Sequence, residues 1–154
     1  MKDKKQERLE IHHIGVVVED MNRAVDYYSK FGLGPFRITE ISRSSESTKS
    51  EPSKYKLKLA FAKMIGSMAM ELIQVVDGNP SYSKFLKQQG EGMHHLAFIV
   101  DDADAETDKW AKQGIKIIKR GPGWSYLDFG YRTVIEFLSP SRILDMTPRL
   151  FPKT

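Results

Sequence analysis

Residues 11–33 read IHHIGVVVEDMNRAVDYYSKFGL, and residues 93–115 read MHHLAFIVDDADAETDKWAKQGI. Shifted by 82 positions, the two stretches align without a gap, and 7 of 23 positions are identical: His12/His94, His13/His95, Val18/Val100, Asp20/Asp102, Asp26/Asp108, Lys30/Lys112 and Gly32/Gly114. A recurring strand–helix pattern explains matched apolar positions. It does not explain a matched His-His pair followed, nineteen residues on, by a matched glycine. A duplicated unit therefore organises the chain.

Each copy opens on an apolar run, 11–18 or 93–100, rich in β-branched and aromatic residues, which predicts a strand. Asp20 and Asp102 then stand where helix N-caps belong. Met21, Ala24, Val25 and Tyr28 follow at i, i+3, i+4 and i+7, one apolar helix face. Helices are expected near 21–31 and 103–113, closed by Gly32 and Gly114. Further strands are expected at 35–41, 55–64 and 68–76 in the first copy, and at 115–120, 124–129 and 132–138 in the second. The fold class is thus α+β, with two tandem βαβββ units related by a pseudo-twofold. One domain over 9–140 is expected, with modules at 9–77 and 91–140. SRSSESTKSEPS at 42–53 is polar and Ser-rich and reads as a flexible loop. The second copy has only Gly121, Pro122 and Gly123 in that place. A short helix at 81–89, after Asp77-Gly78-Asn79-Pro80, links the modules. The tail after Pro140, with Pro148 and Pro152, is expected to be irregular.

Composition narrows the function. The 154 residues are 40% hydrophobic and 29% charged, a globular balance. There is no cysteine, which removes disulfides, zinc fingers, iron–sulfur clusters and thiol nucleophiles together. No apolar run approaches the ~18 residues of a membrane span. The opening MKDKKQERLE lacks the apolar core of a signal peptide, so a cytoplasmic location is expected. The net charge of +4 is mild and its basic residues are dispersed, which argues against nucleic acid. They read as solvated surface, or as attraction for an anionic small substrate.

Strand alternation then singles out four side chains. His13 shares its face with Gly15 and Val17. His95 lies with Ala97 and Ile99, Glu71 with Ala69, Ile73 and Val75, and Glu136 with Val134 and Leu138. A lone ionised group on such a face carries a desolvation penalty of several kcal/mol. Two His and two Glu converging on a divalent cation would remove it. His13 and His95 are repeat equivalents; Glu71 in MELIQ and Glu136 in VIEFL match likewise. The set suits Zn, Co, Ni, Mn or Fe(II), with positions left for water or substrate. The alternative is two hydrogen-bonded core histidines and two solvent-facing glutamates. His12 and His94 are expected on the opposite face.

HHIGVVVEDMNRAVDYYSKFGLGPF, MELIQ, GEGMHHLAFIVDD and VIEFLSP, in that order over about residues 9–140, resemble the vicinal oxygen chelate (glyoxalase, bleomycin resistance, dioxygenase) superfamily. The resemblance implies a curved mixed sheet around a metal cleft, and its metal positions fall on His13, Glu71, His95 and Glu136. Within the superfamily the stretch from Met70 to Val100 looks most like methylmalonyl-CoA epimerase. Glyoxalase I (lactoylglutathione lyase) is next, matching in KYKLKLAFAK, although its turn before the last Glu is replaced here by WSYLDFGYRTVIEF. The resemblance implies a divalent-metal isomerase or lyase that moves a proton beside a thioester carbonyl. Glu136 is the first candidate base and Glu71 the second. It also implies an acyl-CoA or glutathione thiohemiacetal as partner and a homodimer. Ring-cleaving dioxygenases and small-molecule binders of the same fold are the alternatives. Epimerases usually carry a further carboxylate about 16 residues before the Glu of the MELIQ block; here that position is Tyr55. Enclosure among Val134, Leu138, Ile73 and Ala97 is expected to raise the pKa of the glutamates, against the pull of a metal.

Overall fold

The computed structural model describes residues 9–45, 53–64, 66, 68–78 and 80–144. β1 (Glu10–Val17), α1 (Met21–Ser29), β2 (Arg37–Ser45), β3 (Ser53–Lys63) and β4 (Ala69–Asp77) form the first unit. α2 (Ser81–Gln89) connects it to β5 (Gly92–Ile99), α3 (Ala103–Ala111), β6 (Lys116–Gly121), β7 (Trp124–Asp128) and β8 (Val134–Leu138). The two βαβββ units build one mixed sheet in the order β2-β3-β4-β1-β5-β8-β7-β6. The order is palindromic under exchange of units: β1 matches β5, β4 matches β8, β3 matches β7 and β2 matches β6. At its centre β1 and β5 run antiparallel, and each pairs in parallel with the last strand of its own unit. The sheet curls into a half-barrel.

The helices start where the sequence places them. Asp20 accepts from the Arg23 amide, and Asp102 accepts from the amides of Asp104 and Ala105. Gly32 and Gly114 take the same left-handed φ of 85° just past each helix, a conformation glycine adopts without steric penalty. α1 lays Met21 and Ala24 on Val16, Val18, Ala60 and Leu72, covering the convex face of its unit. α3 does the same through Ala103 on Leu127 and Phe137. Its Thr107 hydroxyl reaches into that core and bonds Ser125 Oγ at 2.6 Å. α2 packs Tyr82, Phe85 and Leu86 against Val17, Tyr55, Leu57 and Ile73 on the concave side, so it closes one flank of the cleft. None of the described helices is long and apolar enough to cross a membrane.

Two expectations change. The Ser-rich stretch is not all loop: β2 continues to Ser45 and β3 begins at Ser53, with Ser42–Lys56, Arg43–Tyr55 and Ser44–Lys54 in register. Ladder hydrogen bonds do not depend on side-chain polarity, so a hairpin can extend past its last apolar residue. The rest of that loop lies outside the described residues. After β8, residues 140–144 form a helical turn instead of irregular chain, with Ile143 N–H bonded to Ser139 O; the remainder of the tail is outside the described residues.

The cap on α3 gives a direct test of the helix start. Asp102→Ala should cost about 1 kcal/mol and lower the thermal midpoint by roughly 2–4 °C. A midpoint equal to that of the parent would show that the cap contributes nothing.

Candidate metal centre

The four central strands each contribute one ionisable side chain at the base of the cleft: His13, Glu71 and Glu136 line it, and His95 is fully buried against them. In one row across the sheet, Gly15 stands between Glu71 and His95; in the next, Ala97 stands between His13 and Glu136. The two large imidazoles thus alternate with two very small residues. A Cβ built on Gly15 would fall inside the His95 ring. The absence of a side chain there is what lets His95 lie across β1.

The four tips converge. His13 Nε2 and His95 Nε2 are 2.9 Å apart. Glu71 Oε2 lies 3.1 Å from His13 Nε2 and 3.3 Å from His95 Nε2. Glu136 Oε2 lies 3.2 and 3.3 Å from the same two atoms. All four residues are buried, none with more than 7% of its surface exposed. They come from one chain, two from each unit.

The electrostatics of this floor are those of a cation site. Burial opposes the charge on His13, but the adjacent Glu71 and Glu136 outweigh it and raise its pKa to about 10. His95 is raised by the same partners against the same burial. Burial alone would raise both glutamates. The imidazoles overturn that: Glu71 falls well below the usual carboxylate range, and Glu136 falls to about 2. The expected upward shift from enclosure is therefore reversed by the neighbours. An N···N contact of 2.9 Å holds only one proton, so the two rings cannot both present N–H to each other. Two carboxylates against one imidazolium leave a net negative charge in a buried place. Glu136 Oε2 is also buried with no hydrogen bond of full geometry, although the His13 and His95 Nε2 atoms lie 3.2 and 3.3 Å away. A divalent cation would satisfy both the charge and the orphaned oxygen. Adjacent ligand atoms lie about 3.0 Å apart around an octahedral ion with bonds near 2.1 Å, and about 3.4 Å apart around a tetrahedral one; the contacts here span 2.9–3.3 Å. His13, Glu71 and His95 each offer a ligand atom within 4.8 Å of the others and fit a divalent cation as they stand. Glu136 Oε2 meets both histidines but falls outside that group, so it would have to move toward the ion to join them.

His12 and His94 are not on the opposite face. β1 carries a bulge at His12, between the pairs Ile11–Phe98 and His13–Ala97. β5 carries its repeat equivalent at His94, between Gly15–His95 and Val16–Met93. A bulge inserts one residue and breaks alternation locally. His12 Nδ1 consequently sits 2.8 Å from His13 Nδ1, and His94 Nδ1 sits 3.0 Å from His95 Nδ1. When His13 and His95 turn a bare Nε2 to a cation, each carries its proton on Nδ1 and donates it to the neighbouring ring. Burial, reinforced by the adjacent imidazole, holds His94 near pKa 4 and lowers His12, which keeps both neutral and able to accept.

Two tyrosines complete the wall, and sequence reasoning singled out neither. Tyr126 stands beside Glu136 in register, with its ring 5.2 Å from that of His95. Tyr82, from α2, places its hydroxyl 2.7 Å from the Tyr126 hydroxyl. Burial pushes both phenols well above their ordinary value of 10, so they remain protonated donors. The available signal was the i, i+3, i+4 spacing of Tyr82, Phe85 and Leu86, which marks a packed helix face and not a site. The cleft above the floor encloses about 370 Å³, with Leu57, Leu59, Tyr82 and Trp124 on its walls.

The pattern of the Glyoxalase/Bleomycin resistance protein/Dioxygenase superfamily matches residues 12–140. An uncharacterized protein, YqjC, of Bacillus subtilis (strain 168) is 25% identical over 112 residues, 73% of this chain and 72% of that protein. A hypothetical protein of Bacillus halodurans C-125 superposes with a TM-score of 0.64 at 20% identity, over 86% of this chain and 95% of the other. Methylmalonyl-CoA epimerase from Mycobacterium tuberculosis superposes with a TM-score of 0.61 at 20% identity, over 88% and 90%. These likenesses are to the fold.

The shifted groups set a pH signature. Stripped of divalent ions, the protein has the stabilisation from Glu136 in full above pH 4.5 and loses it as pH falls toward about 2. That from His13 is full below pH 6.5 and lost as pH rises toward about 10. The stripped protein should thus be most stable between these windows, and thermal melting should show a declining alkaline limb. Added Zn²⁺ or Mn²⁺ competes with protons for the imidazoles, so its stabilising effect should grow across that limb. A stripped protein with a flat alkaline limb, or an ion effect that shrinks with pH, contradicts this electrostatic account. Gly15→Ala, which displaces His95, should weaken divalent-ion binding by roughly 10–100-fold in a calorimetric titration; parental affinity would remove Gly15 from the centre.

Proposed function

The chain belongs to the Glyoxalase/Bleomycin resistance protein/Dioxygenase superfamily, and from that premise we propose that it is a divalent-metal-dependent isomerase that moves a proton beside a thioester carbonyl. Methylmalonyl-CoA epimerisation is the leading reaction. One observation carries the reading: two buried carboxylates, one from each unit, flank a pair of imidazole nitrogens at the floor of a cleft. His13, Glu71 and His95, joined by Glu136, would hold a divalent cation, which would supply Lewis acidity for a carbonyl oxygen.

The chain's own groups do the rest. Glu136, ionised at neutral pH, accepts the proton from the carbon next to the carbonyl. Glu71, from the other unit, can serve the opposite side. Tyr82 and Tyr126 present neutral hydroxyls above Glu136 and can donate a hydrogen bond to a developing oxyanion. Leu57, Leu59 and Trp124 exclude water from the exchange. The ligand on this reading is an acyl-CoA or a glutathione thiohemiacetal met in the cytoplasm. The resemblance to the superfamily also implies a homodimer.

Tyr55 favours a second reading. Epimerisation delivers the proton to the opposite face and needs a group on each side of the carbon. Glyoxalase-type isomerisation moves a proton between adjacent carbons and can use a single carboxylate. A phenol at the position of the usual extra epimerase carboxylate points toward that one-base chemistry.

The test is exchange of the α-proton in deuterated solvent, with methylmalonyl-CoA and with a glutathione thiohemiacetal, for the parent, Glu136→Gln and Glu71→Gln. The parent should exchange one of them, and Glu136→Gln should slow it by roughly 10²–10⁴-fold. A metal-loaded parent that exchanges neither substrate overturns the proposal in favour of a binding protein or a dioxygenase.

A further inference from the structure

Outside the floor, one cation in the cleft is held in an unusual way. β6 carries a bulge at Ile118: Ile117 pairs with Leu127, and Lys119 with Tyr126. The extra residue turns Lys119 to the concave side, next to the tyrosine that adjoins Glu136. Its ammonium donates to the Tyr55 hydroxyl at 3.1 Å. Tyr55 lies on β3, second in the sheet, and Lys119 on β6, eighth; only the curl of the sheet brings them together. The ammonium also sits 5.2 Å from the Tyr55 ring centre and 5.7 Å from that of Trp124. The bare Gly121 across the strand pair leaves the indole room to lie there, since a Cβ on Gly121 would enter it.

An ammonium has three N–H donors and no acceptor. Tyr55 takes one, and aromatic faces supply only diffuse attraction to the charge. Lys56, Lys109, Arg23 and Arg120 each meet a carboxylate. Among the described residues, no carboxylate forms an ion pair with Lys119. Arg43 and Arg142 line the same cavity. Its acids, Glu71 and Glu136, are at the floor and engaged with His13 and His95. The cleft is therefore polarised: its carboxylates are engaged with the imidazoles, while Lys119, held against aromatic rings, has no carboxylate partner among the described residues.

We infer that Lys119, clamped by Tyr55 and Trp124, is the receptor for an oxyanion, a carboxylate or a phosphate, carried by the cleft's ligand. The inference deepens the proposed function and rests on it only in placing the ligand in this cleft. The ligand is then bifunctional: a carbonyl end reaches the floor, and an anionic end stops at Lys119. Tyr55, at the position that lacks the usual carboxylate, serves the cation instead of the proton transfer.

The test is equilibrium binding by the full chain, as isolated and after removal of metal and chelator, with three unreactive probes. Succinate carries carboxylates, coenzyme A carries phosphates, and pantetheine is the neutral arm of coenzyme A. Lys119→Met should weaken binding of at least one charged probe by ~10-fold or more and leave pantetheine unchanged. Lys119→Arg keeps the charge and should lose less of that binding than Lys119→Met. Dependence confined to succinate assigns a carboxylate, and dependence confined to coenzyme A assigns a phosphate. Equal binding of every probe by Lys119→Met and the parent overturns the inference, as does a Lys119→Arg loss as large as that of Lys119→Met. Should Lys119→Met not fold, parental binding of the charged probe must still weaken with added salt, and binding insensitive to salt overturns the inference. Loss of α-proton exchange together with intact Lys119-dependent binding would sink the reaction and leave the receptor standing; the converse would do the opposite.

Discussion

Two carboxylates buried beside two imidazoles constrain everything around them. Removing even one charge from water costs several kcal/mol unless a partner compensates, and here four ionisable side chains share a floor that solvent barely reaches. The sheet supplies compensation by symmetry. Each unit brings one imidazole and one carboxylate, and the antiparallel contact of β1 with β5 sets the two pairs face to face. Gly15 and Ala97 supply the space for the rings, and α2 seals the flank with Tyr82 and Phe85.

The paired bulges at His12 and His94 show how the backbone serves this centre. An unbroken strand would turn the first histidine of each tandem pair away from the second. One inserted residue in each central strand instead brings the Nδ1 atoms of neighbours together. The imidazoles facing the floor are thereby oriented from behind, and their tautomer is set by an acceptor kept neutral by burial. The bulge at Ile118 works similarly at the mouth of the cleft, where it aims Lys119 inward. These three irregularities in the ladder direct side chains toward the cleft.

Much of this was legible in the residues. The repeat at 11–33 and 93–115 implied the palindromic sheet, because two copies of one strand–helix unit pack most simply about a twofold. Alternation alone put His13, Glu71, His95 and Glu136 on apolar faces, and in the structure each glutamate lies against both histidines. What escaped depends on where alternation fails or on contacts distant in sequence. The positions of His12 and His94 follow from bulges that leave no mark in composition. Tyr82 reads as ordinary core spacing in a connecting helix, and its meeting with Tyr126 spans 44 residues. The Lys119–Tyr55 contact needs the full curl of the sheet. The extension of β2 and β3 into the Ser-rich stretch was hidden because ladder bonds are indifferent to the polarity that marked it as a loop.

The central claim is that these four side chains form one cation site shared by both units. Anomalous diffraction from a crystal equilibrated with Zn²⁺ or Mn²⁺ tests it most directly. The account predicts a single strong peak between His13 Nε2, His95 Nε2, Glu71 and Glu136, with nitrogen and oxygen ligands at about 2.0–2.2 Å. A peak elsewhere with this floor unchanged, or an ion bound by residues of one unit alone, would contradict it.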